Sequence, residues 1–495
     1  MWTHWLRSPP RSANTRRGLL AAATGALVSA CVHAPPAAPL DPGATLAAFS
    51  TRTLDGLSGA PPAASGGWDR SQWLRAALQL NPQLAEQRAA VIAAAALERS
   101  AAQRPNPEME LFAEYLTAAA QSAAWLYGVS LEFLARPPGE RARVRQQAAL
   151  QSALARSELA ESIWRVRAAL RQALLDVVSA RDETALLESL VAERQALVDS
   201  DRARVRLGDL ARAQMLTDEL ELARARQRQQ QSRSRAADAR VRLAAAVGVP
   251  SEAVAAVEVR WDDWAAIGAL TGAAPERWRT EALIARPQIT HALREYDLSQ
   301  IALQREVARR WPQLRVTPAY AWGGDGVRED PRGAVNTESA LGVSFELPVF
   351  NQHQGPIAEA LARRTAAGEH LKAVQAQIFG EIDRAERAWP GMRQAWQETQ
   401  QLAALAEGQS QAEERALRAG ASDRGSVLGA QIAATEARLS ALGAAYTAEV
   451  AYGALEDAYH RPLQGDEGRE SGAGGWQGAS ARATNPGGMT PPARR

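Results

Sequence analysis

The chain has 495 residues, a formal net charge of +2 and 46% hydrophobic residues, among which alanine dominates and aromatic residues reach only 5%. This length exceeds that of most single domains, and the near-neutral charge gives no electrostatic reason to expect a nucleic-acid partner. The abundance of Ala, Arg, Glu and Gln favours long helices. Because Cys31 is the single cysteine, no disulfide can form within the chain.

The N-terminal residues resemble a secretory signal peptide. A basic start at 11–17 precedes an apolar stretch at 18–28, which is too short to span a bilayer as a helix. The motif Val28-Ser29-Ala30-Cys31 resembles a bacterial lipoprotein cleavage box. This resemblance predicts that residues 1–30 are removed and that Cys31 is lipidated, which would anchor the chain to a membrane without spanning it. An ordinary signal peptide, with Cys31 incidental, is the alternative.

Two halves of the chain repeat each other. Pro82, Pro107 and Tyr115 recur at a constant offset of 205 residues (287 − 82) as Pro287, Pro312 and Tyr320. A period this long indicates a duplicated half-protein rather than a solenoid of short repeats.

Composition places the boundaries of these halves. Segments rich in Pro, Ala, Gly and Ser predict an extended linker before the first half and a tail after the second. The predicted organisation is a linker at 31–69, a first repeat at 70–250, an equatorial connector at 251–280, a second repeat at 281–462 and a tail at 463–495.

Each repeat contains three helical runs. The predicted helices are 81–104, 139–206 and 210–247 in the first repeat, and 286–311, 355–418 and 422–460 in the second. In each repeat the two short runs together match the long run in length, so two short helices stacked end to end would flank one long helix. A long run reaches ~100 Å. Helices of this length need to pack side by side, as coiled coils or as staves of a barrel.

Four short segments alternate apolar and polar residues, which predicts β-strands. The predicted strands are 108–115, 127–133, 314–322 and 341–347. Each segment allows the ~9–11 residues that a tilted strand needs to cross a bilayer. Their apolar faces carry aromatic residues suited to a membrane interface. The carboxylates predicted to line a water-filled lumen on the opposite faces are Glu108, Glu110, Glu114, Glu132 and Glu346. A half-buried soluble sheet is the alternative.

Four strands cannot enclose a water-filled lumen, and lipid does not tolerate open strand edges. Copies of the chain are therefore predicted to assemble, and three copies would give a twelve-stranded barrel. The predicted fold is a mixed α and β membrane protein, in which a trimeric transmembrane β-barrel with four strands per protomer continues into a long α-helical barrel. The helices alone would favour an elongated soluble coiled coil, which is the alternative.

Over residues 70–462 the sequence resembles the TolC-like outer-membrane efflux protein family. The resemblance rests on the duplicated helix–hairpin–helix order and on the turn Leu347-Pro348-Val349-Phe350-Asn351 after the fourth strand. It also rests on two segments similar to the family's periplasmic tip motifs, Arg206-Leu207-Gly208-Asp209 and Ala419-Gly420-Ala421-Ser422. Both segments contain the glycine that a tight reversal between antiparallel helices needs, so simple helix turns are the alternative.

The resemblance implies a passive efflux channel in the outer membrane of a Gram-negative bacterium. It implies a homotrimer that is held in outer-membrane lipid and extends into the periplasm. A periplasmic adaptor would dock at the tips, and an inner-membrane transporter would supply substrate and energy. Family channels close at the tips through polar networks, for which Asp218, Asp423 and Arg424 are the nearby candidates. A duct for type I protein secretion and a structural coiled-coil lipoprotein are the alternatives.

The sequence contains no catalytic or cofactor-binding motif that stands out. Ser and Asp occur singly rather than in a nucleophile–base constellation, and the histidines are scattered without metal-ligand spacing. We therefore expect no enzymatic activity, no cofactor, no metal site and no nucleic-acid partner.

Overall fold

The structure, a computed structural model, describes the chain in segments. The described residues are 39–55, 57, 67–116, 124–136, 138–255, 257–265, 276–323, 337–347 and 349–463. The predicted signal peptide, Cys31 and all but the first residue of the predicted tail lie outside them. The chain divides into two units, residues 1–51 and residues 52–495.

The described part of the small unit contains one helix, α1 (Pro42–Ser50). Asp41 caps this helix, because its side chain accepts a hydrogen bond of 2.8 Å from the backbone N–H of Gly43, and Pro42 occupies the first turn, where its fixed φ favours a helix start. The extended linker predicted over this region is therefore interrupted at 42–50.

The large unit is mostly helical and contains one small sheet. In chain order its described elements are α2 (Arg70–Leu80), α3 (Pro82–Ala101), β1 (Glu108–Leu116), β2 (Ala124–Ala135), α4 (Glu140–Leu207), α5 (Arg212–Val247), α6 (Ser251–Ala255), α7 (Glu276–Ala285), α8 (Pro287–Ala308), β3 (Leu314–Gly323), β4 (Thr337–Phe345), α9 (Gln354–Arg418) and α10 (Arg424–Tyr459). Every predicted helix and strand is present, with each end shifted by four residues or fewer.

Helices α2, α6 and α7 were not predicted from the sequence. Helix α2 begins with a capping box, in which the side chain of Asp69 accepts from the backbone of Gln72 while the side chain of Gln72 accepts from the backbone of Asp69. Helices α6 and α7 lie within or across the predicted connector at 251–280, and the predicted start of the second repeat at 281 falls inside α7.

The two repeats hold their short helices in the same way. In the first repeat, Asn81 lies between α2 and α3, and its amide nitrogen donates a hydrogen bond of 2.9 Å to the carbonyl of Ala246 near the end of α5. In the second repeat, Arg286 lies between α7 and α8, and its guanidinium donates a bond of 3.2 Å to the carbonyl of Ala458 near the end of α10. Both side chains supply partners to backbone groups that a helix end leaves unpaired.

The long helices pack side by side in a row. On the side of the helix tips, α5 contacts α4, α4 contacts α10, and α10 contacts α9. On the side of the sheet, α3 contacts α4, α4 contacts α8, and α8 contacts α9. Helix α4 and helix α9 therefore each run past two shorter helices, as the matched lengths predicted. The row ends at α5 or α3 on one side and at α9 on the other.

Buried tryptophans fix the segment that connects the two repeats. Trp68 forms a parallel bridge with Val259, and its ring lies 5.0 Å from the ring of Trp73. Trp264 is 2% exposed and donates a hydrogen bond of 2.9 Å to the carboxylate of Asp182 on α4. The bulk of these rings and this polar contact hold the connector against the middle of the long helix.

A buried ion network joins the two repeats where α4 meets α10. Glu456 is 3% exposed and lies 3.2 Å from Arg167 and 2.8 Å from Arg171. Its second oxygen accepts a hydrogen bond of 2.7 Å from the backbone of Leu463, and Arg171 also binds Asp457 at 2.6 Å. Burial alone would raise the pKa of Glu456, but the two guanidinium groups outweigh burial and hold the pKa below its usual value of 4.5.

We predict that Glu456→Gln destabilises the helical body by ~3 kcal/mol, because it removes the buried carboxylate that Arg167 and Arg171 share. Denaturant unfolding followed by far-UV circular dichroism measures this loss. Since the folded-state pKa of Glu456 is lowered, its contribution is present above the usual carboxyl pKa and disappears as the pH falls through the lowered value. The exposed Glu369, which pairs with Lys372, provides the control variant Glu369→Gln. Equal unfolding midpoints for the two variants at neutral pH would contradict this prediction.

Candidate functional site

The sheet joins the two repeats edge to edge. Its strands are antiparallel in the order β1-β2-β3-β4, so each repeat supplies one hairpin and β2 pairs with β3 between them. Val129 lies opposite Tyr320, and Phe133 lies opposite Val316. Strands β1 and β4 lie at the two ends of the sheet, and their outer edges have no partner strand among the described residues.

One face of the sheet is apolar and exposed. Its large side chains, which are between 37% and 70% exposed, are Met109, Leu111, Tyr115, Trp125, Tyr127, Leu131, Phe133, Leu314, Tyr320, Trp322, Leu341, Val343 and Phe345. Strand β4 is exposed at every residue, so no other described element covers either of its faces. A continuous apolar surface of this kind is rare on soluble monomers and marks contact with lipid or with a partner. The alternation of residues therefore predicted the correct faces, and the apolar face is exposed.

Aromatic rings gather at the end of this face that lies away from the helices. Tyr115 and Trp125 have ring centroids 5.0 Å apart, and Trp125 and Tyr127 are stacked at 6.1 Å. The band continues to β3, where Trp322 lies 6.5 Å from Tyr127 and 6.0 Å from Tyr320. Trp125 lies before the predicted start of its strand and was missed from the sequence. Such a band is typical of strands that reach a membrane interface.

The opposite face carries the predicted carboxylates. Glu108 lies opposite Glu132, and Glu110 lies opposite Ser130, whose hydroxyl donates to the Glu110 carboxylate at 3.5 Å. Glu132 also forms an ion pair of 3.0 Å with Arg315 of β3.

Three further glutamates complete this charge pattern. Glu114 lies further along β1 on the face of Glu108 and Glu110, whereas Glu346 is exposed one residue beyond the end of β4. The sequence prediction omitted Glu338, which lies on the same face of β4 opposite Ala321. Arg315 was also omitted, because which carboxylate it faces depends on the register between the repeats.

Both predicted tips are tight reversals between antiparallel helices. Gly208 has φ +82°, and the backbone N–H of Asp209 donates a bond of 2.9 Å to the carbonyl of Arg204. Gly420 has φ +75°, and the backbone N–H of Ala421 donates a bond of 2.8 Å to the carbonyl of Ala416. The left-handed glycine closes each helix end, which is why both motifs contain one. Among the remaining residues of the two motifs, Arg206, Leu207 and Ala419 are exposed and Ser422 is half-buried.

One charge interaction acts between the ends of α4 and α10 near the two tips. Asp423 caps α10, where its carboxylate accepts from the backbone N–H of Ser426 at 3.0 Å. The hydrogen bonds from Ser426 lower the pKa of Asp423, and the charge of Arg204 in the last turn of α4 lowers it as well. Ser422 donates a bond of 2.7 Å to Glu413. Arg424 is exposed and has no carboxylate partner among the described residues, so the structure brings Asp423 but not Arg424 into this network.

Asp218 belongs to a second polar contact near the tips. It lies against Asp201 of α4, which is 3% exposed. Burial raises the pKa of Asp201, and the hydrogen bond and charge of Asp218 raise it further; Arg204, 3.9 Å from Asp201, opposes this shift. The sequence identified Asp218 and missed Asp201. The sequence pattern of a long helix does not show which of its aspartates faces the neighbouring helix.

The described residues contain no group of three or more His, Cys, Asp or Glu side chains arranged to hold a metal ion. Among the helices that the structure describes, none combines the length and the apolar content needed to cross a membrane.

Two kinds of comparison relate the chain to known proteins. Residues 278–459, which include most of the second repeat, match a family model described as outer membrane efflux protein. No curated protein matches the chain by sequence.

Several solved structures match over most of the chain. The outer membrane protein VceC of Vibrio cholerae is 16% identical, with a TM-score of 0.64 over 80% of this chain and 97% of its own. The Campylobacter jejuni CmeC outer membrane channel is 13% identical, with a TM-score of 0.65 over 91% of this chain and 97% of its own. The open state of the Neisseria gonorrhoeae MtrE outer membrane channel is 15% identical, with a TM-score of 0.61 over 88% of this chain and 99% of its own.

At identities of 13% to 16%, these structural matches show the fold alone. The predicted resemblance is confirmed: residues 278–459 match the outer membrane efflux protein family, and the chain has the fold of the TolC-like outer-membrane channels.

Proposed function

We propose that three copies of this chain form an outer-membrane channel that conducts substrates passively to the exterior. In this proposal the channel is one part of a tripartite efflux system, together with a periplasmic adaptor and an inner-membrane transporter. The observation that carries the proposal is a four-stranded sheet with one exposed apolar face, one polar face and two edges that no described strand pairs.

Lipid is the environment that suits this sheet. The apolar face can remain exposed in a bilayer at no hydrophobic cost, whereas the backbone groups along both edges need partners, because lipid offers no hydrogen bonds. Pairing β4 of one copy with β1 of the next satisfies both edges. Three copies give twelve strands, an even number within the range of known barrels.

The exposed side chains of the helices also support assembly of the copies into a closed ring. Its terminal helices expose leucines in helical spacing, Leu216 and Leu220 on α5 and Leu402 and Leu405 on α9. When α5 of one copy packs against α9 of the next, these side chains are buried in a heterologous interface, which closes into a ring. Lipidation of Cys31 would add an anchor to the same membrane.

The polar face of the sheet would then line the lumen. Glu108, Glu110 and Glu114 would give the barrel interior a preference for cations, while Arg315 neutralises Glu132 in each copy. At the far end the two tips would present Leu207, which is 76% exposed, and their neighbouring residues to the adaptor.

The charge interaction between Arg204 and Asp423 supports a closed entrance at these tips. It acts between the ends of α4 and α10, which would have to separate for the entrance to widen.

The mature chain, purified in detergent and added to planar bilayers, tests the proposal. We expect stable single-channel conductance, a trimer on cross-linking and a heat-modifiable band on electrophoresis. A helical monomer that stays soluble without detergent and does not conduct would contradict the proposal and favour a structural coiled-coil lipoprotein. Transport of a polypeptide by the reconstituted system, without small molecules, would assign the channel to type I secretion instead.

Neighbouring residues of β4 test which face meets lipid. Leu341 lies on the apolar face at the middle of the strand, and Ala340 lies on the other face. We predict that Leu341→Arg reduces barrel stability by ~2–4 kcal/mol, because it places a charge near the bilayer centre. The heat-modifiable fraction in liposomes measures this loss. The matched control Ala340→Arg places the same charge in the lumen and should insert normally; equal loss in both variants would contradict the assignment of faces.

Ion selectivity tests the charge of the lumen. We predict that the double variant Glu110→Gln/Glu114→Gln lowers the cation-over-anion permeability ratio, because it removes two carboxylates per copy from the polar face. Arg315→Gln should raise the ratio, because it frees Glu132. Reversal potentials in a salt gradient measure both effects. If both variants shift the ratio in the same direction, this face does not line the pore.

The carboxyl pair near the tips predicts a dependence on pH. Because the folded-state pKa of Asp201 is raised above its usual value of 3.8, the local structure loses stability as the pH rises from that value through the raised one. We predict that Asp201→Asn, which mimics the protonated form, slows amide hydrogen exchange at the ends of α4 and α5 at neutral pH. The control Asp199→Asn changes an exposed neighbour that pairs with Arg202. Faster exchange in Asp201→Asn than in the control would contradict the prediction.

A further inference from the structure

Arginines concentrate where the sheet joins the helices. Arg104 lies just before β1, Arg136 just after β2, and Arg141 in the first turn of α4. These three side chains line one groove of about 440 Å³, together with the apolar side chains of Phe133 and Leu134. The groove is therefore a cationic site with an apolar wall.

A second groove of about 570 Å³ adjoins the first. Pro138 lines both grooves, which makes them neighbours. Apart from Pro138 and Arg143, the second groove is lined by long or apolar side chains of α8 and the residues after it, including Leu303, Val307 and Trp311. The two grooves thus place a cationic end beside an apolar slot.

The positive charge of this surface is not neutralised locally. Four of the residues that line the two grooves are arginines, and none of the lining residues is acidic. The described contacts of these guanidinium groups go to backbone carbonyls: Arg141 donates to Ala102 at 2.7 Å, and Arg143 to Pro138 at 3.5 Å. Elsewhere many arginines pair with carboxylates, as Arg279 does with Asp383. Arginines without such a partner favour a phosphate or carboxylate ligand.

The position of the grooves indicates that a phosphate bound there belongs to a lipid headgroup. They lie at the helix end of the sheet, where the apolar face finishes with Phe133, Leu314 and Phe345. Trp311, which is 71% exposed, lies at the same level and suits a membrane interface. In a bilayer this level is occupied by lipid headgroups, with acyl chains directly beside the sheet.

We propose that this double groove binds an anionic phospholipid of the periplasmic leaflet. Arg104, Arg136 and Arg141 hold the headgroup phosphate, and an acyl chain lies against Val307 and Trp311. The inference rests on the proposed outer-membrane channel, since it needs the sheet in a bilayer. A zwitterionic lipid is a weaker ligand, because its own cation competes with the arginines for the phosphate, and a free phosphate leaves the apolar slot unfilled.

Lipid retention measured by native mass spectrometry tests this site. The full channel is purified in a neutral detergent and mixed with equal amounts of phosphatidylglycerol and phosphatidylcholine. We expect the wild type to retain phosphatidylglycerol preferentially, and the triple variant Arg104→Gln/Arg136→Gln/Arg141→Gln to lower that preference at least about tenfold, given the contribution of each arginine near an anionic lipid.

A matched control removes the same charge elsewhere. The triple variant Arg240→Gln/Arg277→Gln/Arg384→Gln changes three exposed arginines of the helical body that have no described carboxylate partner. It should keep the wild-type preference; an equal loss in both triple variants would show that only total charge matters and would overturn the site. Displacement of the lipid by an equal concentration of soluble glycerol phosphate would overturn the assignment to a lipid.

Conductance separates this inference from the function on which it rests. All variants are also measured in planar bilayers of phosphatidylcholine, where channel formation does not need the anionic lipid. A protein that conducts but retains both lipids equally contradicts the lipid site alone. A protein that prefers phosphatidylglycerol but never conducts contradicts the proposed channel alone.

Discussion

The outer edges of strands β1 and β4 carry backbone N–H and C=O groups that the described chain does not pair, and the whole arrangement depends on where those groups find partners. In water an open edge would be solvated, but a sheet whose apolar face is exposed along its length is suited to lipid, where each unpaired group costs several kcal/mol. In the proposed channel, neighbouring copies supply the missing strands. Assembly is therefore a condition for insertion in the proposed channel.

Because the chain is duplicated, one chain supplies both hairpins of the sheet and also the long helices that extend away from it. Each repeat supplies a hairpin to the sheet and a long helix with two shorter partners to the body. The repeats are joined by polar contacts that only burial makes strong, of which the Glu456 network is the clearest. Because Glu456 is held between two arginines of α4, the second repeat cannot slide along the first without separating buried charges.

Charge is distributed differently at the two ends of the large unit. At the sheet, uncompensated arginines surround the junction with the helices, where an anionic headgroup would be favoured. At the tips, the charge of Arg204 acts on both Asp201 and Asp423, so acidic and basic groups partly compensate each other between helix ends. A surface that binds an anionic ligand needs cationic groups without carboxylate partners, whereas a contact that holds two helices together needs charges of opposite sign near each other.

The sequence by itself determined the long helices, the strands and the faces of the strands. Period-two alternation, proline positions and helix-closing glycines act within a few residues, so strands, helix ends and both tips followed from local pattern. Tertiary structure alone decided which charges meet. Arg315 reaches Glu132 through the register between repeats, Asp201 meets Asp218 through the facing of two helices, and Arg104 and Arg136 converge because β1 and β2 form a hairpin. Such contacts join residues distant in sequence, and their energies depend on burial, which no local pattern encodes.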